Sequence, residues 1–592
     1  MKGKKKLGLL MALAAAGSLF GCVNSNSVSD ASGDGVASSA FESESDAFSE
    51  GDTSTVSDSE AVATITLDGS TGTISDTSYG SSGSTVTVTS PGIYTVSGQS
   101  DGVNITVDVS DSGSVYLILE DVTMTNSSMA CIYVNAADTT YIQLSGESSL
   151  TSSMAEKVTV GENSVDGTIH ARDDLIINGS GSLEVNSTYL HGIVAKDDLK
   201  IAGGQIGIEA TKKGIEAADS LSIAEAEISI TSGTDGIQLE NDDADSYFYM
   251  ESGSLTIDAG QDGIQVAPSD EATADFTGYL KMVGGELNVT AGGGSSNAKD
   301  ESTSQKGIKS EGDIYLSGAE VTISSADDAI HCAGTCAINS GSYTLSSSDD
   351  GIHSDSELYI YGGEINVTDS YEGIEAYLIQ IDDGTINVVA EDDGVNAAGG
   401  SDSDSTDDIF TPPSGQTTST STGTLYINGG EIYLNAGGDG LDSNGSIYVT
   451  GGTIIVEAAG TGDNSAIDYG DTNYVASITG GTVLALGSSE MAVNFNTGSQ
   501  CSALLGLSGS NGTSISVNDG SGFSYTATKA YECLVYSSPY MSKGSSYTIT
   551  SGSSSATASF SSSYYYSNVT SGHTNQGEPN TTPGGNTGGQ GF

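Results

Sequence analysis

Carboxylates recur along this chain at a fixed step. Asp327 and Asp328, Asp349 and Asp350, Glu372, and Asp392 and Asp393 follow one another at intervals of 21 or 22 residues, with Asp235 and Asp262 as earlier members. The last acid of each group stands directly before a Gly (once an Ala) and an aliphatic residue, as in Asp350-Gly351-Ile352. If residues one step apart are neighbours in space, like charges face each other across adjacent strands, which is destabilising without compensation. Cations are scarce: Lys plus Arg is 16 against 78 Asp plus Glu, a net charge of 16 − 78 = −62. Outside a cell Ca²⁺ is the natural remedy, a hard cation that takes roughly six to eight oxygen ligands. Raised carboxyl pKa values and hydration are the alternative. The candidate metal ligands are therefore Asp327, Asp328, Asp349, Asp350, Glu372, Asp392 and Asp393.

A second series lies two residues after the Gly: Glu216, Gln238, Gln265, Lys309, His331, His353, Glu375 and Asn396, continuing to Asp442. All are hydrogen-bonding groups. Stacked about 4.8 Å apart, they form either an ordinary solvated face or a polar track for an extended polymer, and they are the candidate carbohydrate-binding residues. Other chemistries are excluded. The negative field repels nucleic acid. No G-x-S-x-G elbow precedes a helix, so the five His belong to no serine triad. Phosphate loops lack the helix they need. Cys332 and Cys336, a lone C-x₃-C, make a poor zinc site.

The elements that position these groups follow from the repeat. "HGIV" (191–194), "KGIE" (213–216), "DGIQ" (235–238 and 262–265), "KGIK" (306–309), "DAIH" (328–331), "DGIH" (350–353), "EGIE" (372–375), "DGVN" (393–396), "DGLD" (439–442) and "SAID" (465–468) form one series with a basic period of 22. After each comes a run such as "ELYIYGGEINVTD", in which apolar and polar residues alternate on both sides of a Gly-rich bend. Alternation at period two means strands, so each lap holds three. The sequence therefore predicts an all-β fold, a right-handed parallel β-helix of 22-residue coils, with the hand following the general preference of parallel crossovers. Ile215, Ile237, Ile264, Ile308, Ile330, Ile352 and Ile374 should stack inward. Longer laps carry insertions at 241–246, 267–278, 293–305 and 401–422, three of them at the corner after the G-I strand. The helix is placed at 63–486. Residues 487–567 lose the period and read as a small antiparallel β cap over the last open edge.

The ends read differently. "MKGKKK", an apolar run and "LFGC" resemble a bacterial lipoprotein signal over 1–22, with Cys22 as the lipidated residue, although Phe20 departs from the small residue usual there. Residues 23–62 are Ser- and acid-rich and are expected to be a disordered tether; 568–592 are expected to be a disordered tail. The expected location is the extracellular face of a bacterial envelope, held to the membrane through the lipid anchor alone. A monomer is expected. Cys332 with Cys336 and Cys501 with Cys533 are possible disulfides in such a place, leaving Cys131 alone.

The laps, the signal, the acidic tether and the trailing β segment together resemble a bacterial cell-surface carbohydrate-binding family. The resemblance covers about 63–567 and rests on the repeat. It implies a right-handed parallel β-helix like that of pectate lyases, calcium, and binding of cellulose or polygalacturonate without established catalysis. Two other functions stay open: a calcium-dependent polysaccharide lyase, with Lys309 as the base, and an adhesin or spacer with no sugar ligand.

Overall fold

The computed structural model describes residues 38–44, 47–110, 113–300, 302–398, 423–462, 464–470 and 473–567, with Val36 and Val569. The signal segment with Cys22, the start of the tether, the 401–422 insertion and almost all of the expected tail lie outside the described residues.

The alternating runs are strands. In Glu286–Ala291, Leu287, Val289 and Ala291 are buried while Glu286 is exposed. Three such strands make a lap: Ile330–Cys332, Thr335–Ile338 and Gly341–Ser347 are one set. Each strand pairs in parallel with its counterpart one lap on, so the described residues build one large, mostly parallel sheet of 46 strands. The register is that of the repeat. Ile215 faces Ile237, then Ile264, Ile308, Ile330, Ile352 and Ile374 in turn, and all seven are fully buried. The Gly before each Ile is tightly held. A Cβ on Gly351 would stand 2.6 Å from both the Gly373 carbonyl oxygen and Val367 Cγ1. Because each isoleucine covers its neighbours above and below, Ile352→Ala opens a cavity shared by three laps. The expected cost is about 2–5 kcal/mol, read as a lower midpoint of urea unfolding.

At the C-terminal end the pairing changes sign. Thr482–Gly487 receives Cys533–Ser537 antiparallel, and a separate antiparallel sheet spans residues between Ser514 and Ser559. Its core of Leu484, Ile515, Tyr536 and Phe560 is distinct from the main one. The last lap's edge is thereby paired rather than left open.

Two expectations are corrected. The described part of 38–62 is not a free tether: it carries a 3₁₀ turn at Ser38–Phe41 and a short helix at Glu50–Thr53, and it bonds to the outer face of the sheet. Val56 and the Gln143 amide exchange two hydrogen bonds, at 2.7 and 3.0 Å. Acidic composition suggested repulsion, but these acids meet lysines. All five described cysteines are buried free thiols. Cys332 Sγ donates to the Gly312 carbonyl at 3.2 Å and Cys533 Sγ to that of Ser488 at 3.0 Å, so backbone oxygens satisfy them without disulfides.

Candidate metal and ligand site on the acidic corner

The acids stand where the chain turns into the first strand of each lap. Backbone bonds fix the stack: the amide of Gly307 donates to the Asp328 carbonyl, Ala329 to Asp350, Gly351 to Glu372, Gly373 to Asp393, Gly394 to Asp439 and Gly440 to Ser465, all between 2.9 and 3.1 Å. Beside this column runs the polar series in strict register. Glu216 faces Gln238, which faces Gln265; Lys309, His331, His353, Glu375, Asn396 and Asp442 follow. The series points away from the core, yet it is no open solvated face. His331, His353 and Asn396 are buried and the rest half-buried, because the acids and corner loops flank them.

The stripe divides into two electrostatic halves. In the first, lysines supply the counter-charge. Glu216 meets Lys196 and, at 3.1 Å, Lys213; burial opposes its ionisation, but the two ammonium groups hold it down at about 2. Lys309 pairs with Glu311 at 3.0 Å. Lys306 Nζ lies 3.1 Å from Asp327 and 2.5 Å from Asp328, and Lys299 lies 3.3 Å from Asp327 and 2.6 Å from Asp349. The 293–305 insertion delivers Lys299. Asp328, fully buried, stays well below the usual carboxylate range: burial works against this, and Lys306 and His331 outweigh it. So Asp327, Asp328 and Asp349, which lie together as a metal-ligating set would, already share two ammonium groups, although burial and nearby Asp328 still push Asp349 up. The few lysines are concentrated in this half and compensate part of it, while Asp235, Asp262, Asp349 and Asp350 still stand above the ordinary carboxylate value.

Two histidines close this half. The rings of His331 and His353 stack with centroids 5.0 Å apart and planes 9° apart. His331 Nδ1 lies 2.8 Å from Asp328. His353 sits among Asp350 at 2.8 Å, Asp355 at 3.1 Å and Glu375 at 3.3 Å. Burial and nearby Lys306 push His331 down. His353 rises well above its ordinary value, since its three carboxylates outweigh burial. One ring of the stacked pair is therefore cationic and the other neutral.

Beyond the histidines the character changes. Between Lys309 and Lys529 the sequence contains no Lys or Arg at all. Burial, reinforced by neighbouring acids, pushes Glu372 up to about 8, Asp442 to about 8, Asp439 to about 7 and Asp393 to about 6. Asp439, Asp442 and Asp468 have carboxylate oxygens within 4.8 Å of one another. Next to Asp442 in register stands Asn396, 7 % exposed. Its amide nitrogen donates to Glu372 at 2.9 Å, and its amide oxygen is buried without a hydrogen-bond partner. An oxygen-only set of acids with a spare neutral carbonyl suits a hard cation. Sequence reasoning named Glu372, Asp392 and Asp393 here but missed Asp439 and Asp468. The signal was present, since "DGLD" and "SAID" continue the same two columns, and Ile467 bridges to Leu441 in parallel.

The model of the carbohydrate-binding domain-containing protein family matches residues 82–351 and 348–522. The chain belongs to that family. A carbohydrate-binding domain-containing relative from Acetivibrio thermocellus is 36% identical over 128 residues, 21% of this chain and 45% of the relative. The match thus spans less than half of the relative's own length. A solved structure described as a polysaccharide lyase-like protein from C. thermocellum, as its gadolinium derivative, is 25% identical at a TM-score of 0.34, covering 50% of this chain and 96% of that one.

Proposed function

We propose that this family member is a surface-anchored, calcium-dependent polysaccharide-binding protein, built as a right-handed parallel β-helix and held to the bacterial envelope through Cys22. The observation that carries this reading is the acid cluster in the cation-free half of the corner. Asp393, Asp439, Asp442 and Asp468, with the amide oxygen of Asn396, would hold Ca²⁺. When bound, the ion supplies positive charge between the protein's carboxylates and those of an acidic glycan such as polygalacturonate. The chain's own residues do the rest. The register keeps acids of successive laps about 4.8 Å apart, and the stacked Glu375, Asn396 and Asp442 line a track beside them.

Binding is favoured over lysis by the state of Lys309. A catalytic base must be deprotonated near neutral pH. Burial works against the charge of Lys309, but Glu311 and Asp262 outweigh it and hold the ammonium above its ordinary value. The test is co-sedimentation with polygalacturonate, with calcium and with chelator. Binding should fall at least tenfold on chelation and in Asp442→Asn/Asp468→Asn, with no unsaturated product released. Undiminished binding in chelator would remove the mechanism. Unsaturated product that disappears in Lys309→Ala would restore the lyase reading.

A further inference from the structure

The second strand of each lap carries its own outward column on a different face from the acids. Tyr141, Ile176, Lys200, Ser222, Tyr249, Lys281 and Tyr315 follow one another in register. The described part of residues 41–56 lies along this column, running against the direction in which the laps advance. The Phe41 ring meets Tyr315 edge-on at 6.3 Å and Tyr361 at 5.9 Å. Glu44 accepts from Lys281 Nζ at 2.7 Å, and its amide donates to the Tyr249 hydroxyl at 3.2 Å. Asp52 accepts from Lys200 at 3.0 Å and from the Tyr141 hydroxyl at 3.4 Å. Phe48 lies 6.0 Å from the Lys200 ammonium. The strap is thus an acidic segment whose carboxylates sit on two lysines three strand steps apart, about 14 Å.

The column is better equipped than the strap requires. Asn178 is 1 % exposed. Its amide nitrogen donates to the Asp52 and Ser54 carbonyls, but its amide oxygen is buried under the strap with no partner. Beyond Phe41 the same column runs on through Ala337, Tyr359, Gln380, Tyr426 and Tyr448, where the last two rings stack at 5.1 Å. Tyrosine rings with interleaved lysines suit an extended sugar chain bearing carboxylates, because the rings take sugar faces and the ammonium groups take the acids. The strap holds its two aromatic anchors, Phe41 and Phe48, only half-buried. It is Ser- and acid-rich, and Phe41, Ala47, Phe48 and Val56 are the large part of its apolar contribution.

We infer that the second-strand face is a separate, metal-independent groove for an anionic polysaccharide, and that residues 38–56 are its built-in competitor. The inference rests on the reading that the chain binds polysaccharide, but not on calcium. In the full-length chain, Phe41→Ala, Glu44→Gln, Phe48→Ala and Asp52→Asn together remove the contacts that hold the strap. Hydrogen exchange of residues 38–62 reads its release. Titration with polygalacturonate in excess chelator keeps the acidic corner silent, with a neutral β-glucan as the second arm. The expected result is fast exchange in the strap and at least a tenfold gain in polygalacturonate affinity, lost again when Lys200→Gln and Lys281→Gln are added. A strap that stays protected, a released strap without gain, a gain equal for the neutral polymer, or a gain that survives loss of both lysines overturns it. The calcium arm of the unsubstituted chain fails or succeeds independently of all four.

Discussion

Lys306→Met is expected to be among the most destabilising single substitutions in the chain, costing about 3–5 kcal/mol in urea unfolding. Lys306 is 6 % exposed, and its ammonium lies against both Asp327 and Asp328. Methionine keeps most of the stem's volume, so the loss is of charge and hydrogen bonds rather than of packing. The buried Asp328 then faces Asp349 and Asp350 with Lys299 and the histidine pair as its remaining compensation. Removing one partner of a buried ion pair leaves the other uncompensated, which is far costlier than losing a surface pair. Lys212→Met, at an exposed position three laps away, should stay within about 0.5 kcal/mol. Asp328→Asn in the Lys306→Met background should recover part of the loss, because the two groups are coupled. A further consequence separates electrostatics from packing: in Lys306→Met, calcium should restore stability, since the variant gives Asp327, Asp328 and Asp349 the cation-poor character of the Asp439 cluster. A loss below about 1 kcal/mol, or one indifferent to calcium, would mean that the lysine is not what holds these acids together.

Sequence legibility followed physical repetition. The inward isoleucines, the recurring glycine and the three strands per lap were readable because every lap meets the same neighbours and so imposes the same residue types. The polar series was readable as a column for the same reason. What escaped was set once rather than repeated. Lys299 reaches Asp349 from an insertion, and nothing in its local sequence says which acid it will meet. Serines and acids make 23–62 read as a disordered tether, although Ser49 and Asp52 form a capping box and Phe41 and Phe48 stand as isolated apolar anchors. Composition over such a window averages away single contacts to Lys200 and Lys281. The division of the corner was hidden by a whole-chain charge count. The same 16 cations mean compensation where they cluster and exposed repulsion across the stretch from which they are missing.

That stretch makes stability depend on pH and calcium together. Glu372, Asp393, Asp439 and Asp442 have folded-state pKa values pushed up to about 8, 6, 7 and 8, against ordinary values near 4. Between about pH 4 and pH 8 the folded chain therefore binds more protons than the unfolded chain, so metal-free stability must fall as pH rises through that window. Asp174 and Asp235, pushed up to about 6 outside that stretch, add to the fall, while Glu216 and Asp328, held low by lysines, act with the opposite sign below the ordinary carboxylate range. A tenfold difference in proton affinity is worth about 1.4 kcal/mol. Because the four acids share protons, the joint loss from pH 5 to pH 8 is expected to be on the order of 4 kcal/mol. Calcium should reduce this slope by taking the place of the protons on Asp393, Asp439 and Asp442. Its uptake at pH 7 should release protons, seen as a calorimetric heat that changes with the buffer's ionisation enthalpy. Asp442→Asn should flatten the metal-free slope and weaken calcium uptake at once, since the same carboxylate serves both. A metal-free chain equally stable at pH 5 and pH 8 would show that water reaches these acids freely, and calcium uptake without proton release would place the ion elsewhere.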